Sequence, residues 1–430
     1  MTEPNLRTIF YALPLPLSNP GINARLAGMA LMSIGDGVSL DAPNFKRLLT
    51  CSLAPHVALS PAYLLRQGID PNNLRHGLTA LNFMQQLEEM LKPRGSSDVL
   101  VSFALRHLTS YNAMALQNFF APTLLERFGT VVDLKVALDT CFYFGQTQVK
   151  SRKSLPEAVR ALGYTGSVAH KLERLDAMFF LYQYLNRHDP KIMAFLHHTK
   201  RQRMDLVAKT LRSEQPYLVY IDDKGALQLI RLLAQSADGR VVKVIASDGA
   251  HDALHCLNLD LAPLVAPCGI LTAKRQAALK FDLEALKARL SQLEVSALSP
   301  QAEHSSPSSA PLEHFTPAQL PFYDAFTQSL TEAEQAIFAR LSRHDLRTET
   351  NLAALCNPER KLGQMTMCYL NENFPQALMA GERAQYERYC RRLAQSRADS
   401  VLQELQHLAQ MLPEDDAQQG DLLRRIAGYF

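Results

Sequence analysis

The stretch 155–184 constrains the fold most strongly, because it holds two helical patterns around a glycine-rich turn, LPEAVRALGYTGSVAHKLERLDAMFFLYQY. Apolar residues recur at helical spacing over 155–162, which predicts a short helix there. Gly163 and Gly166 interrupt the pattern, since glycine tolerates the backbone conformations that end a helix. A second helix is predicted to begin near Ser167 and to carry His170 on its first turns.

The residues before this stretch predict an α/β domain. The predicted elements are strands at 8–13, 24–34 and 45–53, a helix at 74–91, a strand at 99–104, a helix at 116–128 and a strand-helix unit at 131–144. The short connections between the first three strands indicate an antiparallel meander. Pro14 and Pro16 are expected to stop the first strand, because proline cannot donate a backbone hydrogen bond.

The residues after 198 predict two further units. Short strands at 217–221, 227–233 and 241–245, joined by turns that contain Asp and Gly, indicate a small β-barrel followed by a helix at 283–293. The segment 296–320 is rich in serine, proline and alanine, which is typical of a linker. Helices are then predicted from a Thr331–Glu334 capping box onward and at 361–374, 382–395 and 400–411. The predicted domains are therefore 1–198, 199–295 and 321–430, with the linker at 296–320.

Length and composition narrow the class of protein. A chain of 430 residues with 47% hydrophobic and 20% charged residues predicts a soluble protein of two or three domains. The formal net charge is only +3, so a nucleic-acid site would have to be a local basic patch. Seven cysteines without a C-x-x-C pair favour reduced thiols in a cytoplasmic protein. We find neither a signal sequence nor an apolar run long enough to span a bilayer, so no membrane association is expected.

Scattered segments along nearly the whole chain match the motifs of one known family. They are IFYALPLPLSNPG at 9–21, SYNAMALQN at 110–118, Ala169-His170, MCYLNENFPQAL at 367–378 and ERAQYERYCRRL at 382–393. These segments resemble the bacterial exonuclease I family, the 3′→5′ single-stranded DNA exonucleases of the DEDDh type. The resemblance implies a ribonuclease-H-like exonuclease domain, then a small SH3-like β-barrel and a C-terminal helical domain.

The same resemblance implies that the catalytic carboxylates have been lost. The family binds two divalent metals through four carboxylates and uses a histidine as general base. The four carboxylate positions correspond here to Ala12, Pro14, Gln117 and Leu175. No Asp or Glu occurs anywhere in 5–35 or in 99–125, so a change of register restores none of the first three. Only His170 matches, and we interpret it as a relic. No metal site and no resident cofactor are therefore expected.

Two clusters of basic residues are candidates for contacting the phosphate backbone of single-stranded DNA. Lys200, Arg201 and Arg203 lie in a basic stretch where the family's exonuclease domain ends, and Arg388, Arg391 and Arg392 lie in the C-terminal helical region. The alternative for both clusters is a solvated helix face without a ligand, opposite Tyr386, Tyr389 and Leu393 in the second case.

The sequence thus predicts a catalytically inactive exonuclease I-like protein. Its expected partners are single-stranded DNA, the acidic C-terminal tail of single-stranded-DNA-binding protein, which the family binds, or another DNA-repair protein. One alternative is an active magnesium-dependent exonuclease in which Asp133, Glu173 and Asp176 act as relocated ligands. Another is a structural adaptor that does not bind DNA.

Overall fold

A computed structural model describes residues 7–17, 24–35, 43–57, 59–93, 95, 97–103, 105–119, 124–147, 149, 152–222, 224–249, 251–293, 330–341, 361–412 and 416–430. The chain opens with three strands, β1 (Thr8–Pro16), β2 (Leu26–Gly35) and β3 (Phe45–Thr50). Both pairs in this meander are antiparallel, as predicted.

The prediction that the first strand stops at Pro14 is wrong, because β1 continues past Pro14 and ends at Pro16. The next strand, β4 (Val99–Ser102), pairs with β1 in parallel only as far as Ala12. The Thr8 N–H points to the β4 side, where it donates to Asp98 over 2.8 Å, and Pro14 shares that side by the alternation of the strand. Beyond Ala12 this side of β1 has no β4 partner, so the missing proline donor costs little.

A fifth strand, β5 (Thr130–Asp133), completes a sheet of order β3-β2-β1-β4-β5. The helices of this region are α1 (Pro61–Gln67), α2 (Ala80–Met90), α3 (Thr109–Gln117), α4 (Leu124–Arg127), α5 (Leu134–Phe144), α6 (Leu155–Ala161), α7 (Lys171–His188) and α8 (Pro190–Leu196). Residues of α2 and α3 pack on one face of the sheet, and residues of α5, α6 and α7 pack on the other. Instead of the single helix predicted at 116–128, the structure has α3, which begins seven residues earlier, and the short α4.

The middle region is one five-stranded antiparallel sheet. Its strands are β6 (Tyr217–Ile221), β7 (Leu227–Gln235), β8 (Val241–Ser247), β9 (Asp252–Asn258) and β10 (Val265–Pro267), in the order β10-β6-β7-β8-β9. The helix α9 (Lys200–Leu211) precedes the sheet, and α10 (Ala273–Leu279) and α11 (Leu283–Gln292) follow it. The three predicted strands are confirmed. No pairing between β9 and β10 occurs among the described residues, so closure into a barrel remains a prediction.

The C-terminal region is helical, with α12 (Glu332–Leu341), α13 (Lys361–Asn373), α14 (Ala380–Met411) and α15 (Ala417–Ala427). The predicted capping box is present, because Thr331 N–H donates to Glu334 over 3.0 Å and Glu334 N–H donates to Thr331 over 3.3 Å. The two helices predicted at 382–395 and 400–411 are one continuous helix of 32 residues. The predicted linker at 296–320 lies outside the described residues.

The C-terminal helices cover the far end of β1. Ile426 of α15 belongs to the same buried cluster as Leu15, Leu17 and Leu64, with Leu405 of α14 at its edge. Among the described residues, no helix is both long enough and apolar enough to cross a bilayer.

Candidate functional site

The end of β1 holds the first two positions at which the resemblance implies metal-binding carboxylates. Ala12 is fully buried and pairs with Leu31 on one side and Ser102 on the other. It belongs to the apolar cluster between the sheet and α2 and α3. Pro14 is also buried, opposite Met29. This strand end therefore contributes apolar side chains to the core.

The third position lies at the end of α3. Gln117 is the last residue of the helix and is half-buried, whereas the next residue, Asn118, is fully buried. Asn118 donates to the carbonyl of Met114 over 2.8 Å and accepts a bond of 3.0 Å from the side-chain amide of Asn373. Asn373 also accepts a bond of 2.8 Å from the N–H of Leu81. The side-chain amides of Asn118 and Asn373 therefore join the first region of the chain to the C-terminal helix α13.

The start of α7 holds His170 and Leu175. His170 is the exposed N-cap residue, so the helix begins one residue after it. The Glu173 carboxylate accepts bonds of 2.5 Å from the Ser167 hydroxyl and 2.9 Å from the His170 N–H, and these bonds lower the pKa of Glu173. Leu175 is fully buried on the face of α7 that packs against the sheet. The histidine and the fourth carboxylate position therefore do not meet at a polar surface.

The acidic residues considered as relocated ligands each have a structural partner. Asp133 accepts from the N–H groups of Leu105 at 2.7 Å and Lys135 at 2.8 Å, and so caps α5. Asp176 forms an ion pair of 2.6 Å with Lys46 of β3. Within the described part of the chain, no three His, Cys, Asp or Glu side chains are gathered closely enough to hold a metal ion. These residues do not fit the two-metal centre of the family, which requires several carboxylate oxygens around each cation.

The basic residues at 200–203 differ in exposure. Arg203 is only 6% exposed, and burial lowers the pKa of its guanidinium to about 10. Its Nη1 donates to the carbonyl of His198 over 2.7 Å, while Nε and Nη2 have no partner among the described residues. Lys200 also turns inward, because its amine donates to the carbonyl of Leu125 and lies 4.0 Å from Asp260. Of the three, only Arg201 presents its charge to solvent.

The three arginines singled out on α14 lie on its solvent face. Arg388, Arg391 and Arg392 are exposed, and Arg391 has a loose ion pair of 3.6 Å with Glu387. On the opposite face Tyr386 is buried and belongs to the cluster with α12 and α13. The helix therefore presents a basic stripe outward.

A buried polar network was missed by the sequence predictions. Arg25 forms a bidentate ion pair with Glu372, at 2.8 and 3.4 Å, and both side chains are less than 5% exposed. His56 lies beside it, with Nε2 3.2 Å from the Arg25 guanidinium and Nδ1 2.9 Å from the Tyr386 hydroxyl. Burial lowers the pKa of His56 to about 3, and Arg25 and Arg397 act in the same direction. One feature of the sequence pointed to this network. Arg25 lies in the stretch 5–35, which has no acidic residue, so a counter-charge for Arg25 had to come from another part of the chain.

In sequence comparisons, no family model and no curated protein matches this chain. Solved structures do match over its full length. The zinc-bound form of an E. coli exonuclease I–ssDNA complex has a TM-score of 0.74 at 17% identity, covering 99% of both chains. This chain has the fold of exonuclease I.

Further exonuclease I structures agree. The enzyme from Methylocaldum szegediense has a TM-score of 0.70 at 17% identity, over 98% of each chain. A structure described as SSB/exonuclease I in complex with an inhibitor has a TM-score of 0.71 at 16% identity, over 99% of each chain. The expected α/β multidomain fold is thereby confirmed at the level of the whole chain. Identities this low establish the exonuclease I fold and leave the activity to be argued from the residues.

Proposed function

We propose that this protein is a catalytically inactive exonuclease I-like protein that binds single-stranded DNA. The observation that carries the proposal is the end of β1, where Ala12 is fully buried in an apolar cluster in place of a metal-binding aspartate. Two-metal phosphodiester hydrolysis requires carboxylates that stabilise both the attacking and the leaving oxygen. Asp133, which lies in the same row of paired residues as Ala12 and Ser102, is used as a helix cap.

DNA binding does not depend on those carboxylates. It requires cations along a strand path and flat side chains against which bases stack. The exposed arginines Arg201, Arg388, Arg391 and Arg392 meet the first requirement. Several structures with this fold are described as complexes with single-stranded DNA, which supports the same ligand for this chain.

Two assays separate the proposal from its first alternative. A strand labelled at its 3′ end is incubated with magnesium or manganese and with the full chain, and E. coli exonuclease I serves as the positive control. We expect no release of nucleotides by this chain. Release that disappears in an Asp176→Asn variant would instead establish an active exonuclease with relocated ligands.

Fluorescence anisotropy of a labelled oligonucleotide tests the binding itself. We expect saturable binding at low salt that weakens as salt increases, because cations on the protein displace condensed counterions from the strand. Absence of binding, or binding without salt dependence, would favour the structural adaptor.

One of the matching solved structures supports a second partner for this protein. One matching structure is described as SSB/exonuclease I. We propose the acidic tail of single-stranded-DNA-binding protein as a further ligand, since recognising an acidic peptide needs basic and apolar groups and no carboxylates. A titration with a labelled tail peptide, and with a charge-matched scrambled peptide as control, tests this partner independently of DNA.

A further inference from the structure

The outer face of α7 carries a row of aromatic rings that lines an open groove. Phe180, Tyr184 and His188 follow one another at intervals of four residues, so they share one face of the helix. Tyr164, from the turn before α7, extends the row. Successive ring centroids are 5.1 Å apart for Tyr164 and Phe180, 6.0 Å for Phe180 and Tyr184, and 3.9 Å for Tyr184 and His188.

The rings are tilted by 45° between Tyr164 and Phe180 and by 39° between Phe180 and Tyr184, so only the last pair of the row is parallel. Tyr184 and His188 are stacked with an angle of only 16° between their planes. Phe180 and Tyr184 are half-buried and His188 is exposed, so the rings combine contact with the core with access from solvent. The groove beside them has a volume of about 320 Å³, near the lower limit of about 300 Å³ for small-ligand sites. Its size suits one ring system with its attached sugar.

One cation in the groove lining favours an anionic ligand. Asp176 is the acidic residue in the lining, and the Lys46 amine pairs with it at 2.6 Å. Arg187, also in the lining, is exposed, and no described acidic residue forms an ion pair with it. At the Tyr164 end, burial and the Asp176 and Glu173 carboxylates raise the pKa of the tyrosine against the opposing Arg160 guanidinium, so acidic groups outweigh the basic one there. The cation that favours a phosphate therefore lies at the Arg187 end of the row.

We propose that this groove is a stacking site for the bases of a single-stranded nucleic acid, with Arg187 binding the phosphate backbone. Stacked aromatic side chains next to arginine are the combination that binds unpaired bases without regard to sequence, at about 1–3 kcal/mol per base. Asp176 lies six residues after His170, so the groove begins about 9 Å along the helix from the relic histidine. A strand bound here would run along the outside of α7, separate from the basic stripe of α14. The choice of a single-stranded nucleic acid as the ligand rests on the proposed function, whereas the aromatic groove itself is observed independently of that function.

The absence of tryptophan from the chain allows a direct test. A Tyr184→Trp variant would carry the only tryptophan, and base stacking quenches tryptophan emission. Gln183→Trp, at an exposed position in the groove lining, is a second probe that does not disturb the ring row. Leu402→Trp is the control, because Leu402 is 55% exposed on α14 and is not among the residues that line the groove.

Each variant is titrated with a labelled oligonucleotide while anisotropy and tryptophan emission are recorded together. An abasic oligonucleotide of equal length serves as the charge-matched ligand. We expect both groove probes to be quenched by the normal strand, little quenching by the abasic strand, and no change at Leu402→Trp. A Phe180→Leu/Tyr184→Leu variant should bind at least five-fold more weakly, the lower bound that about 1 kcal/mol per base implies.

The outcomes are distinguishable. Binding by anisotropy without quenching at either groove probe overturns this inference and leaves the proposed function intact. Absence of binding overturns both. Quenching of the groove probes by the acidic tail peptide and not by the oligonucleotide would make the groove a protein-binding site, which also overturns the inference.

Discussion

Arg25 and Glu372 form a buried, bidentate ion pair that joins the residue before β2 to the C-terminal helix α13, 347 residues later in the sequence. Tyr386 and His56 extend this network to α14 and to the segment after β3. Two charges buried together are costly to separate, because each would lose both water and its partner. The network therefore fixes how the C-terminal helices sit against the first sheet.

Removing one partner of this ion pair should destabilise the whole chain. We expect Glu372→Gln to lower the free energy of unfolding by about 3–5 kcal/mol, because it leaves the Arg25 guanidinium buried without a counter-charge. Urea denaturation followed by circular dichroism measures the change. Glu387→Gln is the control, since Glu387 is 64% exposed and its 3.6 Å pair with Arg391 should contribute less than about 1 kcal/mol. Equal effects of the two substitutions would contradict the assigned role of the network.

His56 should make stability depend on pH. Its pKa is lowered to about 3 in the folded chain, against about 6.5 in the unfolded chain, so the unfolded state binds the proton first. The contribution of neutral His56 to the free energy of unfolding is fully present above about pH 6.5 and is lost as the pH falls toward 3. The loss is roughly 1.4 kcal/mol per pH unit, which amounts to a few kcal/mol over this range. The full difference is an upper limit, because Glu372 lies 3.8 Å from the imidazole and would attract its charged form.

The measurement compares urea denaturation at about pH 7 and about pH 5 for the wild type and for His56→Gln. Glutamine keeps a donor and an acceptor but does not titrate in this range. The wild type should lose more stability than the variant on acidification. A parallel loss in both proteins would show that other carboxylates account for the pH dependence.

The parts of the fold that local patterns determine were predictable from sequence. The first meander, the Thr331 cap and the three strands of the second sheet follow from alternation, turn residues and capping residues. The error at Pro14 has a non-local cause, because proline is tolerated there only where β4 has ended beside Ala12. The partnership of Arg25 with Glu372 could not be read from either segment alone. The aromatic spacing of 180, 184 and 188 was visible in the sequence, but only the structure shows that this face lines a groove.

Exposure should decide which residues of the 200–203 cluster contact DNA. We expect Arg201→Gln to reduce the slope of log affinity against log salt by about 0.7, the value for one phosphate contact with a single strand. Arg203→Met should leave the slope unchanged, because Arg203 is only 6% exposed. Anisotropy titrations at several salt concentrations measure both slopes. A larger change for Arg203→Met than for Arg201→Gln would contradict this assignment.

The basic stripe of α14 can be tested in the same way. A triple substitution of Arg388, Arg391 and Arg392 by glutamine should reduce the salt slope by about 2, if each arginine neutralises one phosphate. Arg424→Gln is the control, since Arg424 is 79% exposed on α15 and its ion pair with Asp421 is loose, at 3.6 Å. An unchanged slope in the triple variant would identify the stripe as a solvated face.

Restoring the first lost carboxylate should harm this protein rather than reactivate it. Ala12 is fully buried in an apolar cluster, so an Ala12→Asp carboxylate would lose its hydration and its pKa would rise. We expect the free energy of unfolding to fall by about 2–5 kcal/mol at neutral pH, because the variant buries a polar group to which its surroundings offer no hydrogen bond. Because the folded-state pKa would exceed the unfolded value of about 3.9, the defect should shrink as the pH falls through the raised folded-state pKa and should be smallest below about pH 3.9.

Ala161→Asp, at an exposed position at the end of α6, is the control and should be nearly neutral. Manganese provides the decisive comparison, because a ligand that binds only the folded state raises its apparent stability. If β1 still bordered a metal centre, the ion would stabilise the Ala12→Asp variant and leave the wild type unchanged. If the strand end has become ordinary core, as the packing of Ala12 beside Phe10 and Leu100 indicates, manganese should have no effect on either protein.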